Sequence, residues 1–171
     1  LSTGWEGAIN LKAYSKTLIL QIKHPKALST SSKRLPTRLA LVKFYVRFLK
    51  ILGYKFTTVS EALASSYGRY CCLTFDTSHR DLYHQVYPWL LSKNIPATLL
   101  IATDEIGSKQ SRSLGLSLGT APTRMTWKNI FSISSKNWEP VSIGRRKMPL
   151  INMSYEEQLD MINSSRNLIT Q

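Results

Sequence analysis

The chain has 171 residues, of which 43% are hydrophobic and 19% charged, a composition that supports one folded domain and argues against intrinsic disorder. No apolar run approaches the roughly 18 residues of a membrane-spanning helix, and residues 1–10 lack the features of a secretory signal. The 23 Lys and Arg against 10 Asp and Glu give a formal charge of +13, which predicts attraction to polyanions: nucleic acid, acidic glycans or an anionic membrane face. The basic residues lack a glycine-rich RNA-binding signature, which weighs against nucleic acid.

Residues 18–52 predict a strand followed by a helix. Leu18–Ile22 is a short apolar run of β character that stops before Pro25, so we expect a buried strand there. Residues 1–17 precede it as an N-terminal extension. Further on, apolar residues recur at spacings of four, three and four with basic residues between them, as in an amphipathic helix: Leu41, Tyr45, Phe48 and Leu52.

The next segment continues this alternation. Gly53 is suited to end the helix, Phe56–Val59 predicts a short strand, and Ser60 is expected to cap a short helix. Tyr70–Phe75 is a second apolar run, predicted as a buried strand that ends at Asp76. Its two adjacent cysteines would form a strained bridge and are expected to pack as small hydrophobic side chains.

The second half of the chain also alternates helices and strands. A helix is predicted from the recurrence of Leu82, Val86 and Leu90, with Pro88 in its first turns. Strands that alternate with helices indicate βα units, and therefore an α/β fold with a parallel sheet. The further elements are a strand at Ala97–Ala102, a surface loop at 107–123, a helix at Trp127–Ile133, a strand at Pro140–Ile143 closed by Gly144, and a last helix capped by Ser154.

The segment that follows the Tyr70–Phe75 strand resembles a known enzyme motif. Residues 73–81, Leu-Thr-Phe-Asp-Thr-Ser-His-Arg-Asp, resemble the T-F-D-D-G-x-x-D signature of the polysaccharide deacetylases (carbohydrate esterase family 4, nodulation-protein-B-like domain). The resemblance extends to the family segment before this signature, at residues 48–63. It also extends to segments after the signature, at residues 86–107, 125–144 and 153–166, in order and nearly without gaps. The resemblance covers about residues 18–168.

This resemblance implies a partial or distorted (β/α) barrel with parallel strands that removes N-acetyl groups from carbohydrate polymers with a divalent metal such as zinc. It implies that Asp76 is the general base. The family's metal-binding Asp is replaced by Thr77, and its first ligating His by the segment Arg145–Met148, with no histidine after His84. We therefore expect no metal cofactor and a catalytically impaired, degenerate copy, incomplete at its C-terminus. Members are commonly cell-envelope or secreted proteins; the compartment and oligomeric state of this chain stay open.

A relocated metal site is an alternative that the sequence leaves open. His79, Asp81 and His84 lie close together in sequence, and Asp81 and His84 would share a helix face. The competing interpretation is that Asp81 caps the helix and both histidines lie on the surface.

Two functions are compatible with these residues. The first is a deacetylase-like protein without activity, and the second is a non-catalytic basic module that binds an anionic or N-acetylated glycan. Arg145, Arg146 and Trp127 are the candidate carbohydrate-binding residues, since guanidinium groups hold anions and aromatic faces suit sugar rings. The alternative is that the two arginines lie in a solvated loop and Trp127 packs in the core.

Overall fold

The computed structural model describes residues 9–14, 17–23, 38–65, 68–107 and 124–170. No helix in this part of the chain combines the length and apolar character needed to cross a membrane. The strands are β1 (Ile9–Tyr14), β2 (Thr17–Lys23), β3 (Lys55–Thr57), β4 (Tyr70–Asp76), β5 (Ala97–Ile101) and β6 (Trp138–Ser142); the helices are α1 (Arg38–Ile51), α2 (Val59–Ala64), α3 (Tyr87–Ser92), α4 (Trp127–Ser134) and α5 (Tyr155–Thr170).

The described strands form one sheet in the order β1-β2-β4-β5-β6, with β3 beside β4. β1 runs antiparallel to β2, and the other pairings are parallel. Because β2 pairs with β4 along its whole length, β3 and β5 share the other side of β4, β3 at Tyr70–Cys72 and β5 at Thr74–Phe75. The parallel α/β sheet predicted from the sequence is confirmed, and the carboxyl ends of β4, β5 and β6 lie at one edge.

The strand β1 was missed by the sequence analysis, which placed its residues in an N-terminal extension. It pairs with β2 from Ile9 opposite Ile22 to Tyr14 opposite Thr17, so the two strands form an antiparallel hairpin. Its sequence, Ile-Asn-Leu-Lys-Ala-Tyr, alternates apolar and polar residues over its first five positions, which is the period of a strand. The predicted surface loop at 107–123 lies outside the described residues apart from Gly107.

The helix α1 is confirmed, but its buried face differs from the predicted one. Val42, Val46 and Leu49 are buried, at spacings of four and three. Phe48 and Leu52, which the sequence analysis placed on the buried stripe, are 48% and 42% exposed. Tyr45 packs against the core as predicted. The stripe was wrong at Phe48 and Leu52 because α1 has apolar residues on two faces, and periodicity alone does not show which face meets the sheet. Gly53 ends the helix at a φ of +78°, as expected.

Two predicted helix starts also need correction. The N-cap of α2 is Thr58, not Ser60: the Thr58 hydroxyl accepts from the Glu61 N–H, and the Glu61 carboxylate accepts from the Thr58 N–H. Asp81 makes no side-chain cap hydrogen bond. The single helix predicted there is divided into a π-helical turn, Leu82–Val86, and α3, whose first turn contains Pro88. The capping box at Ser154 is confirmed.

The strand β4 lies at the centre of the core, with every residue from Cys71 to Phe75 buried. The Phe75 ring stacks on Trp138 of β6 with centroids 5.2 Å apart, which joins the two strands across β5. Cys71 belongs to the main core cluster, whereas the Cys72 thiol lies 3.4 Å from the Thr58 carbonyl oxygen under α2. Burial raises the pKa of Cys71 to about 12 and that of Cys72 to about 11, so both stay protonated.

Candidate functional site

Charged side chains follow three neighbouring strands at the edge where those strands end. Asp76 is the last residue of β4, Asp104 lies in the 3-10 turn Thr103–Glu105 after β5, and Arg145–Lys147 follow β6. We call this group of residues the carboxyl edge. In parallel sheets, the loops at this edge converge and carry the chemistry of the fold, so it is the candidate site.

Asp76 is held by Lys147. The Lys147 ammonium nitrogen lies 2.6 Å from Asp76 Oδ1 and also donates a hydrogen bond to the Asp76 backbone oxygen at 3.1 Å. The two side chains are 35% and 21% exposed, respectively, so water screens this ion pair only in part. The sequence analysis named Asp76 as a candidate base and the 145–148 segment as a replacement for metal ligands. In the structure, Asp76 and Lys147 of this segment are in direct contact.

Asp104 pairs with both arginines of the carboxyl edge, a role that the sequence analysis missed. Arg145 Nε lies 3.1 Å from Asp104 Oδ1, and Arg146 Nε lies 3.0 Å from Oδ2. Burial raises the pKa of Asp104, but the hydrogen bonds and positive charges of Arg146 and Arg145 outweigh it, so the pKa lies below its ordinary value. Each arginine that was proposed to bind a glycan is thus already opposite a carboxylate oxygen.

Backbone hydrogen bonds hold the loops after β5 and β6 together. Gly144, at the turn after β6, is buried and has a φ of +100°, a conformation that favours glycine. Its N–H donates to Ser142 Oγ, which in turn donates to the buried Ser165 of α5. Three further backbone bonds fix the two loops to each other: Ile143 N–H to Ile101 O, Thr103 N–H to Gly144 O, and Asp104 N–H to Arg145 O.

A second polar group lies beside the segment that follows Asp76. Arg124 Nη1 lies 3.0 Å from Glu105 Oε2 and donates to Ser78 Oγ at 3.2 Å, and Ser78 Oγ donates to Glu105. The Met125 N–H donates to the Ser78 carbonyl oxygen. These contacts tie the start of α4 to the loop after β4. No sequence motif pointed to them, because the three residues come from three separate loops.

The residues around Asp76 do not fit a divalent metal. Thr77 is buried, and its hydroxyl accepts the backbone N–H of His79 at 3.2 Å, so this neutral oxygen is engaged in the turn. The structure does not assemble the alternative set of His79, Asp81 and His84, since the described residues contain no group of three or more metal-ligating side chains. His84 Nε2 instead accepts from Arg80 Nε at 3.0 Å.

Trp127 lies at the start of α4 and is half-buried. It packs against the core cluster, and its ring lies 6.1 Å from that of Phe131. No described contact joins it to Asp76 or to the arginines, so the structure does not bring the predicted carbohydrate-binding residues together. The space next to Arg145 and Arg146 is a groove of about 350 Å³ between their loop and α5, lined also by Met148, Met153 and Met161.

No family model and no curated protein matches the chain. Solved structures do match. IcaB from Ammonifex degensii superposes with a TM-score of 0.67 at 16% identity, over 90% of this chain and 68% of that one. The deacetylase PplD from Streptococcus pyogenes, in complex with acetate, gives 0.67 at 18% identity, over 91% and 69%. The deacetylase domain of BpsB from Bordetella bronchiseptica gives 0.57 at 17% identity, over 83% and 69%.

Identities of 16–18% show the fold alone. The similarity agrees with the resemblance of residues 73–81 to the polysaccharide deacetylase signature. The chain therefore has a polysaccharide-deacetylase-like α/β fold, a partial (β/α) barrel with a parallel sheet.

Proposed function

We propose that this chain is a deacetylase-fold protein that does not carry out metal-dependent N-deacetylation and instead binds an N-acetylated carbohydrate polymer at its carboxyl edge. The observation that carries the proposal is the contact between Lys147 Nζ and Asp76 Oδ1 at 2.6 Å. The residue that resembles a catalytic base is held in an ion pair by a lysine of the same chain.

This contact bears directly on the chemistry expected of Asp76. A general base needs an oxygen directed at the proton it removes, and the ammonium group of Lys147 lies against one of its two carboxylate oxygens. The water to be deprotonated would also need its pKa lowered by a nearby metal, since a carboxylate is too weak a base for ordinary water. Lys147 places a positive charge against the carboxylate beside which that metal would have to bind, and like charges repel.

The charges at the carboxyl edge also bear on the kind of carbohydrate. Its three cations face two carboxylates, Asp76 and Asp104, so most of its positive charge is already paired within the chain. A strongly anionic glycan would have to compete with Asp104 for both arginines. A neutral N-acetylated polymer needs only hydrogen-bond donors, and Arg146 is 67% exposed while still paired. The fold shared with the deacetylases PplD and BpsB supports the carbohydrate assignment.

Acetate release tests the first half of this proposal. The purified chain is incubated with N-acetylglucosamine hexamer and with zinc, cobalt or nickel, and acetate is measured over a buffer blank. We expect no release above the blank, and metal analysis is expected to find less than one bound ion per ten chains. Metal-dependent acetate release that disappears in Asp76→Ala would show that the chain is an active deacetylase.

Calorimetric titration tests the second half. We expect N-acetylglucosamine hexamer to bind more tightly than either glucosamine hexamer or heparin at 0.15 M salt. Arg145→Ala/Arg146→Ala should weaken the binding by about tenfold, because a hydrogen bond from a charged group contributes roughly 1.5 kcal/mol. The matched control Lys93→Ala/Lys136→Ala removes two exposed cations elsewhere and should have no effect. Absence of binding to all three carbohydrates would overturn the proposal.

A further inference from the structure

α1 has an exposed apolar face on the side of the helix that points away from the core. Phe44, Phe48 and Ile51 are 61%, 48% and 83% exposed. Residues two apart lie about 200° around a helix axis, so Phe44 points away from the sheet when Val42 points into it. The Phe44 and Phe48 rings are parallel, with centroids 6.2 Å apart, and form a continuous apolar ridge on the surface.

Basic side chains flank this ridge on one side. The ridge borders an open groove of about 370 Å³, which is lined by Ala40, Lys43, Phe44, Arg47, Phe48 and Ile51. Lys50 follows on the same flank, and the sequence of α1 contains no Asp or Glu. The helix therefore presents an exposed apolar strip bordered by cations, in addition to the buried strip that holds it on the sheet.

The charge of the surrounding sequence is unusually one-sided. Residues 7–60 contain eleven Lys and Arg and no Asp or Glu, whereas the rest of the chain contains twelve Lys and Arg and all ten acidic residues. Nearly all of the net charge of +13 thus belongs to the third of the chain that includes α1. A chain segment of this charge attracts anions and repels a basic partner.

We propose that α1 docks on an anionic lipid bilayer and lies in the plane of the headgroups. Phe44 and Ile51 enter the boundary between headgroups and acyl chains, while Arg47 and Lys50 contact lipid phosphates. Apolar side chains with a flank of Lys and Arg are the pattern of helices that bind membrane surfaces, and both parts contribute to their affinity. An acidic protein partner is the competing occupant; the bilayer is favoured because the cations extend along the sequence well beyond the groove itself.

Vesicle co-sedimentation of the full chain tests this proposal. One set of vesicles is phosphatidylcholine alone and the other contains 30% phosphatidylglycerol, both at 0.1 M salt. We expect binding to the anionic vesicles only, with a loss of at least tenfold in Phe44→Ser/Ile51→Ser. Arg47→Gln/Lys50→Gln should lose about thirtyfold, since a basic residue near an anionic surface contributes about 1 kcal/mol.

Matched controls distinguish binding through this face from nonspecific hydrophobic or electrostatic binding to the vesicles. Leu63→Ser/Ile151→Ser removes two side chains that are 82% and 89% exposed elsewhere, and Lys93→Gln/Lys136→Gln removes two exposed cations. Both should bind anionic vesicles as the parent chain does, and thermal melting should show that all four variants fold. Equal losses in the controls, or no binding to anionic vesicles by the parent, would overturn the proposal; the second result would leave the face to a protein partner.

Discussion

Carboxylates are held in two different ways in two regions of the sheet. At the carboxyl edge, Asp76 and Asp104 face an ammonium group and two guanidinium groups. The second region lies where α2 crosses the amino ends of β5 and β6, and we call it the α2 junction: Thr57, Thr58, Ser60, Glu61, Thr98 and Glu139. There Glu61 accepts from the Thr57 hydroxyl at 2.6 Å, and Glu139 accepts from Thr98 at 3.0 Å and from Ser60.

The difference concerns what remains available for a ligand. Hydroxyl and backbone donors at the α2 junction stabilise the carboxylates without cancelling their charge, and their role is to cap a helix and join it to two strands. At the carboxyl edge each carboxylate is instead paired with cations of the same chain. The edge that should carry chemistry in this fold has thus become internally paired, and each prediction below perturbs one side of that contrast.

The largest expected effect is on the turn that positions the basic residues. A Cβ at residue 144 would lie 3.2 Å from Met161 Sδ, and the φ of Gly144 is unfavourable for other residues. Gly144→Ala should lower the free energy of unfolding by about 3 kcal/mol in urea titrations. Gly53→Ala has the same backbone problem with no atom within 4 Å and should lose about 1 kcal/mol. Equal losses would show that contact with Met161 is unimportant.

A smaller effect is expected from breaking the ion pair of the carboxyl edge. Lys147→Met leaves Asp76 without its cation and should cost about 1.5 kcal/mol, between the values typical of exposed and buried pairs. A double-mutant cycle with Asp76→Asn should give a coupling of about 1 kcal/mol that shrinks in 1 M salt. Lys93→Met, at an exposed lysine outside the edge, serves as the control. A coupling near zero would contradict the contact.

The smallest expected effect is on the stability of the fold in acid, compared for one carboxylate of each region. Hydrogen bonds from Thr57 and Thr58 hold the pKa of Glu61 below its ordinary 4.5, and that of Asp104 also lies below its ordinary 3.8. Both contributions are present above these ordinary values and are lost as the pH falls through the lower folded-state pKa. Glu61→Gln and Asp104→Asn should each cost about 0.5 kcal/mol at pH 7 and make the acid loss of stability shallower.

Salt distinguishes the two variants. In 1 M NaCl the effect of Asp104→Asn should largely vanish, because ion pairs at the surface are screened, while that of Glu61→Gln should persist. Urea titrations between pH 3 and pH 7 at two salt concentrations provide the measurement. Identical salt responses would remove the contrast between the carboxyl edge and the α2 junction.

Much of the fold was predictable because local patterns and tertiary packing agree in most elements. The strands β4 and β5 are continuous apolar runs, and Ser154 with Glu157 forms the expected capping box. Thr58 with Glu61 has the same spacing, so the correct cap of α2 was also readable from the sequence. The buried face of α1 was not, since it depends on which of two apolar strips meets the sheet.

The candidate site was predictable only residue by residue. Asp76 and the basic segment could be named from the sequence, because each follows a predicted strand. Their pairing could not, since Lys147 meets Asp76 across 71 positions and Asp104 meets Arg145 across 41. Such contacts depend on how far each loop turns after its strand, and Gly144 and the backbone bonds between the loops decide that turn.

The adjacent thiols of β4 give this protein its own chemical reporters of unfolding. Alkylating reagents attack thiolates, and Cys71 and Cys72 are both buried and protonated in the native fold. Side chains of neighbouring strand residues face opposite sides, so Cys72 becomes reactive when α2 detaches, whereas Cys71 requires the main core to open. Separate labelling rates, resolved by mass spectrometry, would therefore tell partial opening from complete loss of structure.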